Sequence, residues 1–285
     1  MTTFIDFARA HGVQIEPSRF APGEKIRRCG TVDKPKSTNG AYFWDGSRGF
    51  VWNWSGEARP QWFEDQNARP WTDAEKRAWA LRQQLEKATR EAGYKNAALR
   101  SDIALRSAKL QTHSYFEFKG FKDELGFVAE DGALLIPMRS LAGRLQGLQV
   151  IRWIEEERRY EKKMTPGMRA KGAVFRMGRP QAPETILVEG YVTGLSVAAA
   201  QRSVGMPASV LVTFSDSNMV HVAPMVQGRC MVYADNDKSG AGERAAKETG
   251  LPYCMSETVG NDANDDHQAH GLMVVAKKIM DVRRK

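Results

Sequence analysis

The stretch VYADNDKSGAG, residues 232–242, ends an apolar run in two aspartates one residue apart, Asp235 and Asp237, and follows them with Lys238, Ser239 and two glycines. Two other apolar runs end in acids. ILVEG places Glu189 directly after a run, with Gly190 permitting a tight exit. GNDANDD, residues 260–266, places Asp262 and Asp265 in the loop that follows a further run. If these runs are parallel strands of one sheet, the acids meet on one rim. Gathered carboxylates repel one another unless cations sit among them. Mg²⁺ takes a few carboxylates, keeps waters and accepts substrate phosphates. Two such ions stabilise both the attacking and leaving oxygens of a phosphoryl displacement. The chemistry expected is metal-dependent phosphoryl or nucleotidyl transfer. Each acid also has a plain structural reading. Asp237 or Ser239 could cap a helix starting near Gly240, Glu189 could be an ordinary strand exit, and Asp262 and Asp265 could be turn formers. Singly those readings are the better ones; the ordered set, with strand–acid–glycine–helix context at two places, favours the chemical one. His267 and His270 read as surface residues opening the last helix.

The elements that must hold these acids are legible in the hydrophobic pattern. From residue 184 strands and helices alternate. Strands are expected at Ile186–Val188, Val210–Thr213, Cys230–Ala234 and Tyr253–Met255. Helices are expected at Thr193–Arg202, Asn218–Val226, Gly240–Thr249 and Asp266–Val282. This alternation predicts a parallel sheet with helices on both faces, and ligands collect beyond the carboxyl ends of such strands. Upstream, 133–138, 145–153 and 158–164 alternate as an antiparallel sheet edged by Arg139, Arg144, Arg152, Lys162, Lys163, Arg169 and Lys171. Residues 131–183 hold 11 basic and 5 acidic side chains, so most of the chain's net charge of +8 is concentrated there. A basic stripe suits a polyanion.

Further upstream, Thr72 and Glu75 form a capping-box pattern that starts a helix over 72–92. Its apolar stripe is narrow, as in a connector, and a second helix is expected at about Asn96–Lys109, after Gly93. Residues 1–70 read as a small aromatic-rich module. A short helix at Thr3–Ala10 precedes a hairpin of Ala41–Trp44, a turn at Asp45-Gly46-Ser47, and Gly49–Trp54. Phe50, Trp52 and Trp54 share one face of that second strand and are expected in the module's core. Aromatics beside Arg27, Arg28, Lys34, Lys36 and Arg48 are an alternative platform for single-stranded bases. The fold class expected is α+β: a small β-rich module (1–70), a helical linker (71–109), a basic antiparallel-sheet subdomain (110–183) and an α/β parallel sheet (184–285).

At 285 residues the chain can bury a sizeable core. No apolar run approaches ~20 residues and the N-terminus has no secretory h-region, so no membrane is expected and the cytoplasm is the default compartment. Cys29, Cys230 and Cys254 stand apart from one another, which excludes a four-cysteine zinc site and makes free thiols the expectation.

The ordered motifs ILVEGYVTGLSVAAA, VYADNDKSGAG and GNDANDDHQAHG resemble the TOPRIM domain. HSYFEFKGF, GALLIPMRSLAGRLQGLQVI and KKMTPGMRAKGAVFRMG resemble the basic subdomain that precedes it in bacterial-type DNA primases, in particular those of phages, plasmids and other mobile elements. The resemblance covers about 110–275. It implies that Glu189 assists proton transfer or completes metal binding. It gives Asp235 and Asp237 the catalytic Mg²⁺ or Mn²⁺, two ions, with Asp262 and, behind it, Asp265 completing the acidic patch. It further implies that Lys162, Lys163, Arg169 and Lys171, joined by Arg139, Arg144, Arg152 and Lys119, bind template or primer phosphates, and that Lys238 contacts the incoming triphosphate. Residues 24–56 resemble the shape of the family's N-terminal zinc ribbon but hold only Cys29, so no zinc is expected. No Gly-x-x-x-x-Gly-Lys-Ser/Thr motif is present, so a replicative helicase would be a separate partner. The function implied is short-RNA synthesis on single-stranded DNA from NTPs. A TOPRIM nuclease and a non-catalytic, primase-derived nucleic-acid-binding module are the alternatives.

Overall fold

The structure is a computed structural model that describes residues 3–23, 25–54, 59–64 and 71–284. It is a mixed α+β chain with three five-stranded sheets among the described residues. The chain divides into two compact units, Met1–Gln83 and Gln84–Lys285. The boundary expected at residue 70 lies outside the described residues.

In the first unit, α1 (Phe4–Ala10) starts in a capping box: Thr3 accepts from the Asp6 N–H, and the Asp6 carboxylate accepts from the Thr3 N–H. An antiparallel sheet follows, ordered β1 (Val13–Gln14), β2 (Arg27–Thr31), β3 (Gly40–Trp44), β4 (Arg48–Asn53) and β5 (Gln61–Glu64). The hairpin is the one expected, with Tyr42 opposite Val51. Its main apolar cluster lies on the opposite face from the one expected. Phe4, Ala8, Val13, Ile15, Tyr42 and Val51 make the core, with Trp44 and Phe63 packed against it. Phe50, Trp52 and Trp54 lie on the other face. There Phe50 is covered by Phe43 and Trp62, and Trp54 is 40% exposed beneath the Arg28 guanidinium, 3.8 Å from the ring centroid. Phe50, 8% exposed, is buried on that face as expected, and of the three residues expected in the core it is Trp54 that is left exposed. The Cys29 thiol is pushed up to about 11 by burial.

The helix α2 (Asp73–Ser107) runs unbroken where a break was expected at Gly93. Glycine costs a helix interior only about 1 kcal/mol relative to alanine, and the flanking residues are strong helix formers. In the second unit, α2's later turns lie on an antiparallel sheet of β6 (Lys109–Gln111), β7 (Gly126–Val128), β8 (Leu134–Arg139), β9 (Leu145–Ile154) and β10 (Arg159–Met164), in the order β10-β9-β8-β7-β6. The short helix α3 (Ser114–Phe118) lies between β6 and β7. Neither β6, β7 nor α3 was expected; each is too short to show a period. Ala133, Leu135 and Leu148 on one face of this sheet pack with Ala104 and Leu105 of α2. Leu134, Ile136, Met138 and Ile151 on the other face join the core of the third sheet.

That third sheet is ordered β11-β13-β12-β14-β15. Its strands are β11 (Phe175–Met177), β12 (Glu184–Val188), β13 (Ala208–Val212), β14 (Arg229–Ala234) and β15 (Tyr253–Met255). The last four are parallel, as the alternation predicted, and β11 is an antiparallel edge. The helices are α4 (Tyr191–Ser203), α5 (Asp216–Val222), α6 (Ala241–Thr249), α7 (Ala263–His270) and α8 (Leu272–Arg283). The single last helix expected is two, divided at Gly271, where φ is 82°. From β12 the chain moves to β13 on one side and then returns to β14 on the other, so a topological switch point lies between β12 and β14, where parallel sheets open a crevice.

A methyl group added at Gly93 would meet nothing within 4 Å. Gly93→Ala is therefore expected to raise the unfolding free energy by about 0.5–1 kcal/mol, read from urea denaturation of the full chain. A loss of stability would show that the helix is interrupted there.

Candidate metal and phosphate site

Four loops at the carboxyl ends of the parallel strands are fastened in two pairs by hydrogen bonds to the backbone. Thr213, just past β13, donates from its N–H and its Oγ1 to the Val188 carbonyl, each at 2.9 Å. The Phe214 N–H donates to the Glu189 carbonyl at 2.9 Å. Phe214 holds φ at 64°, a left-handed conformation costly for an aromatic residue. It turns the chain so that Ser215 caps α5 and Asp216 opens that helix beside Glu189. On the other side of the switch point, the Asn236 N–H donates to the Asn261 carbonyl (3.0 Å) and the Gly260 N–H to the Asn236 carbonyl (2.6 Å). The loop of Asp235 is thereby held against the loop of Asp262.

The acids so placed act on one another. Burial first, then the charge and hydrogen bond of Asp216, then the charges of Asp235 and Asp237, push the Glu189 carboxyl well above the usual carboxylate range. Asp235 is pushed up to about 7 by burial and by Asp262 and Asp216, against a partial offset from Lys162. One oxygen of Asp216 and one of Asp235 are buried without any hydrogen-bond partner. An orphaned carboxylate oxygen costs its desolvation unless a cation completes it. Among the described residues no three acidic, histidine or cysteine side chains lie close enough to chelate one ion as they stand.

Asp237 carries the capping role weighed for it as well, and Asp262, read as a turn former, caps a helix instead. Asp237 accepts from the N–H groups of Ser239 (2.8 Å), Ala241 (3.3 Å) and Gly242 (2.8 Å) and from the Ser239 hydroxyl. These donors hold its carboxyl far below the usual range, with the Gly242 N–H foremost. Gly242 permits the close approach: a Cβ there would lie 2.3 Å from the Asp235 carbonyl oxygen. Asp262 caps α7 and also accepts from Thr193 Oγ1 at 2.8 Å. Asp265 stands behind it, turned back to accept from the Asp262 N–H at 3.0 Å. His270 is exposed, and His267 is half-buried against Phe121 with its Nδ1 3.2 Å from Ser196 Oγ.

The basic residues do not form one wall. Successive side chains of a strand point to opposite faces. Lys162, with Tyr160 and the buried Ile151 opposite it on β9, faces the core shared with the parallel sheet and acts on Asp235. Its Nζ lies 5.6 Å over the Tyr115 ring. Lys119, at the end of α3, is on this side too, because Asn264 of α7 donates to its carbonyl at 2.9 Å. Lys163 and Arg152 lie on the other face of the sheet, paired with Glu161 (2.8 Å) and Asp131 (2.6 Å). Arg139 donates to the Gly143 carbonyl at 3.1 Å, and Arg144 is exposed in the same turn. Arg169 is paired with Glu91 and stacked over Tyr94, 4.8 Å from its centroid. Lys171 is exposed and lowers the pKa of His221, after burial, through its charge. Lys238 is exposed beside Gly260.

Asp216 is the site acid that the strand-end pattern missed. VLVTFSDSN does carry an acid after a strand, but four residues past Val212, the last residue of β13, and directly after Ser215, where it reads as part of a helix cap.

Compared with protein families, residues 184–272 match the Toprim domain. Toprim domains bind divalent metals such as Mg²⁺, and the donor set here, carboxylates with buried unpartnered oxygens, fits such an ion. No curated protein matches. Among solved structures, the chain is similar to one from an assembly of the bacteriophage T7 lagging-strand DNA polymerase interacting with primase domains of two gp4 subunits bound to an RNA/DNA hybrid and dTTP. That likeness has 17% identity and a TM-score of 0.39 over 64% of this chain and 90% of that one. It is also similar to the DnaG catalytic core (15%, 0.40, 52% of each chain) and to the DnaG primase catalytic domain bound to ssDNA (14%, 0.40, 54% and 56%). The chain thus spans about half the length of those two chains.

A carboxyl group with a folded pKa raised above its unfolded value keeps a proton that the unfolded chain has already lost, so folding is weakened as pH rises between the two values. In EDTA the protein is expected to lose stability from about pH 4 to pH 7 on account of Asp235. Asp235→Asn should be more stable than wild type at pH 8, by about 1–3 kcal/mol. Mg²⁺ competes with the retained protons, so it should raise the wild-type melting temperature more at pH 8 than at pH 6. Circular-dichroism melts check all three; identical Mg²⁺ effects on wild type and Asp235→Asn would remove the cation from the site.

Proposed function

We propose that the chain is a DNA primase that joins ribonucleotides into short primers on a single-stranded DNA template. The observation that carries the proposal is the convergence of Glu189, Asp216, Asp235, Asp237 and Asp262 at the switch point of a Toprim sheet, with two orphaned carboxylate oxygens and Lys162 close by. Glu189, Asp235 and Asp237 would hold Mg²⁺ or Mn²⁺, as a pair of ions, with Asp216 and Asp262 completing the negative field and Asp265 supporting Asp262. When bound, such ions acidify the 3′-hydroxyl and neutralise the departing pyrophosphate.

The chain's own residues then have distinct tasks. Glu189, half-buried at the end of β12 and next to Asp216, is the carboxylate placed to assist transfer of the proton from the attacking 3′-hydroxyl once cations offset its acidic neighbours. The new bond joins that oxygen to the α-phosphorus; the bond that breaks releases pyrophosphate. Asp237, fixed by the first N–H groups of α6, stays ionised and keeps its position as charge develops. Lys162 and Lys119 hold substrate phosphates on the acid side, and Lys238 meets the incoming triphosphate. Lys163, Arg152, Arg139, Arg144, Arg169 and Lys171 would bind the more distant template as point charges.

The four-part domain division at residues 70, 109 and 183 belongs to this reading, as do a separate helicase partner, a cytoplasmic setting, an N-terminal module without zinc and a place among phage, plasmid or mobile-element primases. Among the described residues no helix is long and apolar enough to cross a membrane.

The test is RNA synthesis on single-stranded DNA with NTPs and Mg²⁺ or Mn²⁺. Wild type should make primers; Asp235→Ala and Asp237→Ala should fall by at least about 100-fold. Asp216→Asn should fall by a smaller factor. Equal output from all variants overturns the proposal, and degradation of labelled DNA without NTPs would assign the acids to a nuclease.

A further inference from the structure

A cavity of about 700 Å³ opens on the acid-facing side of the antiparallel sheet, between α3 and the β9–β10 hairpin. Its walls are aromatic and cationic: Phe118, Trp153 and Tyr160 with Lys119, Lys162 and Arg158. Apart from Lys119 and Lys162, none of these has a place in the site described above. Phe118 is 65% exposed and Trp153 45% exposed, high values for large apolar rings that have a protein core nearby.

The rings are held in place from behind. Tyr160 stands opposite Trp153 in the strand register and meets it edge to face at 5.0 Å. Its hydroxyl donates to Ser114 Oγ at 2.8 Å, and its other neighbours are the buried Tyr115 at 4.9 Å and Phe118 at 6.0 Å. The Trp153 indole N–H donates to Glu155 Oε2 at 2.6 Å. Trp153 is thus held from behind while it stays 45% exposed, and Phe118, 65% exposed, has the Lys119 ammonium 5.7 Å over its ring.

The order of groups along this face identifies the ligand chemistry. Arg158 lies at the hairpin tip, in a left-handed conformation with φ at 47°. The Tyr160–Trp153 pair comes next, and Lys162, which acts on Asp235, follows two residues further along the same face. Cation, aromatic platform, cation is the pattern for a chain that alternates phosphates with flat bases. A free nucleotide carries phosphates at one end only and would leave one flank unmatched. Base–aromatic stacking is tolerant of sequence because every base has a π-face.

We propose that this pocket stacks bases of single-stranded nucleic acid on Trp153 and Phe118 while Arg158 and Lys162 hold the flanking phosphates, delivering the strand to the acidic rim. The inference deepens the proposed function and rests on it for the nature of the ligand; the pocket itself requires no metal.

The experiment is a fluorescence-anisotropy titration of the full chain with labelled oligo(dT), in EDTA and without NTPs. Wild type, Trp153→Ala, Trp153→Phe and Phe118→Ala are compared, with circular-dichroism melts to confirm folding. A second probe is an abasic strand of equal length, and a third is ATP. Trp153→Ala and Phe118→Ala should weaken oligo(dT) binding roughly tenfold, and Trp153→Phe should recover most of the loss. The abasic strand should bind wild type and the alanine variants alike, and the salt dependence should not change, because stacking releases no counterions. Equal oligo(dT) affinity across the set overturns the proposal. So does a matching loss for the abasic strand, or a loss for ATP alone. A chain that shows the stacking loss yet makes no primers would keep the pocket and lose the polymerase; a chain that makes primers but binds oligo(dT) equally in all variants would do the reverse.

Discussion

The rest of the structure is arranged around one electrostatic conflict: several carboxylates share a half-buried rim at the ends of β12, β13 and β14. Each raises the cost of ionising the next, and burial raises it again. The fold tolerates this because the loops carrying the acids cannot move apart. The Thr213 and Phe214 bonds to the end of β12, and the Asn236 bonds to the 256–261 loop, fix the backbone from both sides of the switch point. Perturbed carboxyls of this kind mark sites where function sets the arrangement against stability.

The second sheet gives that rim its positive counterpart. Its two faces have different tasks because of the strand period. One joins the core shared with the parallel sheet and presents Lys162 and the aromatic pocket; the other lies under α2 and carries Lys163 and Arg152 in surface ion pairs. Exposed pairs of that kind contribute little to stability, typically below about 1 kcal/mol. Adjacent lysines at 162 and 163 therefore meet different surroundings, one beside the acids and one in solvent.

Much of this was readable from the sequence. The parallel strands were visible as short apolar runs separated by helix-length segments, and their acids as interruptions at the ends of those runs. The cap at Asp237 was visible too, whereas Asp262, read as a turn former, proves to cap α7; both show that a residue can serve as cap and as part of an acidic cluster at once. What stayed hidden was decided by geometry that local pattern does not encode. Asp216 depends on a left-handed turn at an aromatic residue, a conformation no propensity suggests. Net charge marked 131–183 as basic without saying which face of the sheet each cation takes. The buried face of the N-terminal hairpin went to Tyr42 and Val51, rather than to the tryptophans, because Phe4 and Ala8 of α1 pack on that side.

Whether these acids share divalent cations is decided by anomalous diffraction from crystals soaked in Mn²⁺. A manganese peak is expected between the carboxylates of Glu189 and Asp235, with oxygen ligands at about 2 Å. Crystals at neutral pH that bind manganese elsewhere but leave that rim empty would contradict such sharing.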